Sequence, residues 1–181
     1  MHNILPKKFC FINELEKNYI RKFNRNIGII YRNYKELDID KKLLEFHNLC
    51  KKNKIKFYLA NNIKLAVKLK LDGAYIPSFN NSMFKEKLLR NNFHLIGSAH
   101  NIKEIRIKEQ QGVSLIFLSP IFKTKKTNKI LGINRFNILS SYTKNKIVAL
   151  GGINANNIRK LNMTKAYGFA GISFFKENLK I

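Results

Sequence analysis

The sequence has no tryptophan, only two cysteines and three prolines, and 11 acidic residues against 35 lysines and arginines. Cys10 and Cys50 have neither metal-site spacing nor the numbers for a disulfide framework, so a buried thiol is the expectation for each. No run of about 18 uncharged apolar residues occurs, which excludes a long apolar membrane-spanning helix. The first residues lack the apolar core of a signal peptide, and a soluble, cytoplasmic protein is expected. Acids are scarcest late in the chain, with none between Glu109 and Glu177. A tight metal site built only from protein carboxylates is therefore not expected there.

What the chain does have is hydrophobic content of 45%, 14 phenylalanines and 181 residues, enough for one well-buried domain over residues 1–181. The formal net charge of +24 invites a nucleic-acid reading. The lysines, however, are spread through nearly every segment, and asparagine and isoleucine are abundant with them, a joint bias that an AT-rich coding sequence imposes by itself. No basic stripe, arm or known module stands out, so nucleic acid is not the expected partner.

Apolar runs of four to six residues recur with helix-like stretches between them. They fall at 9–12, 27–31, 55–60, 74–76, 93–97, 115–118, 147–150 and 168–172. Eight strands alternating with helices predict an α/β protein, a compact (β/α)8 TIM barrel with a short final helix from Phe174. Helices are expected from Asn13, from an Asp38 cap, through 63–69, 83–90 and 101–110, and through 136–139. Another is expected after Gly151-Gly152, with Asn154 as its cap.

In such a barrel the residues directly after each strand carry the chemistry. Here those are Arg32 and Lys35, Asn61 and Asn62, Ser78 and Asn80, then Ser98 and His100. The later strands give Ser119 with the basic loop at 123–129, Gly151 with Gly152, and Ser173. The rim is basic and polar, suited to an anion held by Arg, Lys and backbone donors. Gly151 and Gly152 offer close backbone approach, and with the Gly168–Ser173 echo form a candidate phosphate cradle. His100 is the one candidate acid or base, although a structural role fits it equally well. His2, His47 and His94 read as surface or core residues.

Four segments resemble the thiamine phosphate synthase and TenI-like thiazole tautomerase superfamily, over about residues 9–173. Asp72-Gly73-Ala74-Tyr75-Ile76 is similar to its Asp-Gly-Val-His-Leu strand, and Ile96-Gly97-Ser98-Ala99-His100 to its Gly-x-Ser-x-His segment. Ser119-Pro120-Ile121-Phe122-Lys123-Thr124 resembles its Gly-Pro-x-Phe-x-Thr loop, and Ala149-Leu150-Gly151-Gly152-Ile153 its Ala-Ile-Gly-Gly-Ile phosphate turn. Shared order and spacing make the resemblance specific.

The resemblance implies a transferase of thiamine biosynthesis that joins hydroxymethylpyrimidine diphosphate to thiazole phosphate. The alternatives are a thiazole tautomerase using His100, or a barrel that binds thiamine-related phosphates without turnover. Arg32, Lys35 and Ser98 match diphosphate contacts, while Gly151, Gly152 and Ser173 match the thiazole phosphate site. Asn61, Asn62, Thr124 and Lys126 join the expected phosphate-binding set, with Ser98 beside His100 as the catalytic pair. The departures are equally specific. Ile30 replaces a glutamine, Lys35 stands one place late, and Lys126-Thr127 inverts a Thr-Lys. Asn61 and Asn80 stand where the family has its magnesium carboxylates. Mg2+ is thus the implied cofactor, but amide oxygens without formal charge bind it much more weakly. The implied partners are small phosphorylated pyrimidines and thiazoles, with no membrane, and a homo-oligomer is compatible with the sequence.

Overall fold

A computed structural model describes residues 5–23, 26–34, 39–83, 89–125, 127 and 129–178. Eight parallel strands close on themselves in chain order: β1 (Lys8–Ile12), β2 (Ile27–Tyr31), β3 (Lys56–Ala60), β4 (Gly73–Ile76), β5 (His94–Ala99), β6 (Leu115–Leu118), β7 (Lys146–Leu150) and β8 (Gly168–Gly171). The last strand pairs back to the first, Phe9 opposite Ala170. Both faces of each strand are covered, which is why β2 reads as the unbroken run Ile-Gly-Ile-Ile-Tyr and is buried throughout.

Alternate residues sort into two cores. Outward-facing side chains meet the helices α1 (Lys17–Lys22), α2 (Asp40–Lys52), α3 (Ile63–Lys68), α4 (Ile102–Gln110), α5 (Gly132–Ser141) and α6 (Ser173–Asn178). Inward-facing ones fill the barrel, where Phe9, Phe11, Tyr58, Tyr75 and Phe117 take the place of the branched aliphatics usual in such interiors. The rings pack edge to face, Phe9 to Phe117 at 4.9 Å and Phe11 to Tyr75 at 5.2 Å between centroids. Gly28 makes room for this, since a Cβ there would lie 2.4 Å from the Phe9 ring.

At the strand N-terminal end, Asp72 ties three elements together. Its carboxylate accepts from His47 Nε2 on α2 and Lys56 Nζ on β3, each at 3.1 Å, and from the Phe57 N–H at 3.0 Å. Burial pushes its pKa up, but these donors and the Lys56 charge outweigh it and hold the carboxyl down at about 2.

Three expectations change. β5 runs on to Ala99, so Ser98 lies inside a strand rather than after one. A 3-10 helix, Ile158–Met163, stands where an α-helix capped by Asn154 was expected. Asn154 Oδ1 instead accepts from the N–H groups of Asn156 and Asn157 at 3.0 and 3.2 Å, a local turn that competes with α-helix formation. α1 begins at Lys17 and not near Asn13. Asp38 and most of the helix expected at 83–90 lie outside the described residues. No helix among the described residues is long and apolar enough to cross a membrane.

Candidate active site

The strand C-terminal ends open into a cavity of about 1010 Å³. It brings together Arg32 after β2, His100 after β5, Thr124 from the β6–α5 loop, Gly151 and Gly152 after β7, and Ser173 after β8. Lys123, Lys125, Lys129 and Arg135 add four more positive charges to the lining, which contains no Asp or Glu among the described residues. Cations without acids, set beside glycine backbone, describe a pocket for a polyanion.

Arg32 is fixed by two contacts. Its N–H donates to Ile12 O at 2.8 Å, and its guanidinium carbon lies 5.5 Å from the centroid of the Phe11 ring beneath it. His100 is fixed from α4. Asn101 caps that helix by accepting from Glu104 N at 2.9 Å, and the Glu104 carboxylate turns back to accept from Asn101 Nδ2 at 2.9 Å. Glu104 Oε2 also takes the His100 N–H and His100 Nδ1, both at 2.8 Å. A carboxylate only accepts, so Nδ1 carries a hydrogen and Nε2 is the nitrogen available to a ligand.

The glycine pair has a structural cause that its sequence did not reveal. Gly151 and Gly152 have φ of +96° and +71°. A Cβ on Gly151 would lie 2.7 Å from Pro120 Cβ, and one on Gly152 only 2.3 Å from Lys123 O. The close approach is therefore to the β6–α5 loop, locked by Ile121 N to Leu150 O and Phe122 N to Gly151 O at 2.9 and 3.1 Å. Asn157 Nδ2 holds Gly152 O from the other side at 2.8 Å. The pair shapes the cavity by letting two loops dock, and still presents bare backbone to it.

Asn61, Asn62 and Asn80 do not line this cavity. Asn62 caps α3, its side chain accepting from Leu65 N at 3.0 Å. Asn61, held in the left-handed region at φ +60°, accepts from Asn80 Nδ2 at 2.7 Å, while Asn80 Oδ1 accepts from Ser82 N at 2.9 Å. Ser98 is buried inside the barrel top, hydrogen-bonded to the Tyr75 hydroxyl. Burial raises that phenol to about 12 against the lowering effect of Ser98. Lys35 and Lys126 lie outside the described residues.

Two cations escaped the sequence reading. Arg135 is in the first turn of α5, where helix starts face the strand C-terminal ends. Lys108 is wholly buried on α4 beneath the β4–β5 connection. Burial lowers its pKa to about 8, with Glu104 acting the other way. The one trace of Lys108 in the sequence is its position three residues after Ile105, which sets the two on one helix face.

Magnesium would require oxygen donors on this rim. Among the described residues the amide oxygens at the expected ligand positions, on Asn61 and Asn80, already accept hydrogen bonds within the protein. No cluster of three His, Cys, Asp or Glu side chains occurs among the described residues. This donor set does not fit a tightly held Mg2+.

Fold and cavity together define a (β/α)8 barrel with a cation-lined cavity at its strand C-terminal ends. Residues 23–175 match the family model for thiamine monophosphate synthase, and the chain belongs to that family. It is 31% identical over 171 residues to an Aquifex aeolicus protein with a provisional thiamine-phosphate synthase name, covering 92% of this chain and 90% of that one. To the Methanococcus vannielii thiamine-phosphate synthase it is 29% identical over 119 residues, 65% of this chain and 58% of the relative. Among solved structures, thiamine phosphate pyrophosphorylase from Pyrococcus furiosus superimposes with a TM-score of 0.74 over 93% of this chain and 86% of that one, at 19% identity.

Proposed function

We propose that the protein is a transferase of thiamine synthesis, coupling hydroxymethylpyrimidine diphosphate with thiazole phosphate. The observation that carries this is the cavity lining, where Arg32 after β2 and the lysines of the β6–α5 loop share one cavity with the Gly151, Gly152 and Ser173 backbone. Cations and bare backbone in one cavity of about 1010 Å³ suit a ligand pair that carries two anionic groups. In the reaction the bond from the pyrimidine methylene carbon to diphosphate oxygen breaks, its electron pair leaving with the diphosphate. The thiazole nitrogen then donates its lone pair to that carbon. Arg32, Lys123 and Lys125 stabilise the charge growing on the leaving oxygen, and the glycine turn holds the thiazole phosphate so that its nitrogen faces the carbon. Lowering the barrier is then a matter of position and charge, with no protein nucleophile required.

The test is direct. Purified protein incubated with both substrates, with and without Mg2+, should form thiamine phosphate well above the rate in buffer. No product under either condition would sink the proposal.

The His100–Glu104 pair favours a second reading, proton transfer on a thiazole carboxylate phosphate. On that reading His100→Ala abolishes tautomer conversion while phosphate binding stays. Conversion that survives the substitution removes it.

A further inference from the structure

Lys108 is 0% exposed, and no carboxylate pairs with its ammonium among the described residues. Its stem lies over Gly97, where a Cβ would come within 2.9 Å of the lysine Cδ. Its head donates to Asn80 O at 2.8 Å and to Gln111 Oε1 at 2.7 Å. Gln111 Nε2 then donates to the same Asn80 O at 2.9 Å and to Ser82 O at 2.8 Å. Two donors thus converge on one carbonyl, and that residue's side chain reaches on to Asn61 Oδ1 at 2.7 Å. The result is a continuous path from a buried cation on α4, through Asn80, to Asn61 at the end of β3.

Burying an ammonium against neutral oxygens alone is costly, and an apolar side chain at this depth would be cheaper for folding. What the lysine adds is a fixed positive charge behind the two amides. Such a charge opposes a divalent cation on that rim and favours an anion. Arg32, Asn61 and Asn80 follow the neighbouring strands β2, β3 and β4, so the rim is continuous with the guanidinium that lines the cavity.

We infer that the β2–β4 rim holds the diphosphate end of its ligand as a metal-free anion, with Lys108 as the positioning residue that fixes Asn80 and supplies the charge behind it. This rests on the reading of the cavity as a two-anion site, though not on turnover. Calorimetric titration of the whole protein with inorganic diphosphate, in EDTA and again in Mg2+, is the test. Wild-type protein should bind in EDTA at least as tightly as in Mg2+. Lys108→Met, which keeps the stem over Gly97, should bind about tenfold more weakly in EDTA while keeping a cooperative thermal transition. The paired change Asn61→Asp and Asn80→Asp, which leaves Lys108 in place, should abolish binding in EDTA and restore it with Mg2+. That pair decides the matter if the Lys108 variant does not fold. Wild-type affinity that appears only with Mg2+, an unchanged Lys108→Met, or aspartates that leave EDTA binding intact would each overturn the inference. Failure of the coupling reaction reads differently, as diphosphate binding in EDTA with no thiamine phosphate formed.

Discussion

Gly152 shows how one residue can look like a ligand contact and be first a packing contact. With φ at +71° and Lys123 O 2.3 Å from where a Cβ would lie, Gly152→Ala should cost about 2 kcal/mol in urea unfolding. It should also weaken phosphate binding, because the 122–123 backbone must move. Asp72 sits at the opposite end of the barrel. Its carboxyl is held at about 2 rather than 3.8, so its contribution is complete above pH 3.8 and is lost as pH falls toward 2. Asp72→Asn should therefore destabilise by about 2 kcal/mol at pH 7, a difference that shrinks between pH 4 and 2 in parallel denaturant titrations. Tyr58 offers the reverse case. Its hydroxyl is buried with no hydrogen-bond partner among the described residues, so Tyr58→Phe should leave stability unchanged or raise it by about 1 kcal/mol.

Among the elements, the β6–α5 loop carries most of the positive charge that lines the cavity. A short antiparallel bridge between Thr124 and Thr127 shapes it, and Thr124 Oγ1 accepts from Thr127 N at 3.2 Å. Replacing Lys123 and Lys125 together by alanine should raise the KM for the phosphorylated substrates about tenfold, an effect that fades as salt increases. Steady-state kinetics at low and high ionic strength would check it. α4 and its cap join three roles: Asn101 caps it, Glu104 orients His100, and Lys108 holds the neighbouring loop. The span of α4 was legible in the sequence. The use of its buried face for a cation was not, because periodicity predicts burial and says nothing of what lies above the buried position.

For the whole molecule, the net charge of +24 is a self-repulsion distributed over the surface. Added salt screens it, so the thermal midpoint should rise between low and physiological ionic strength in a simple melting series. The order and number of strands were readable from the sequence, because a parallel strand buried on both faces must be a short continuous apolar run. The residues at the strand ends were readable for the same reason, and Arg32, His100, Thr124, Gly151, Gly152 and Ser173 do meet in one cavity. Which of them face one another, that Asn61 and Asn80 bond to each other, that Ser98 turns inward to Tyr75, and that Lys108 stands behind Asn80 were decided only by closing the barrel. Local pattern fixes each βα unit, whereas contacts between loops of different units depend on barrel curvature and loop docking, which no single segment encodes.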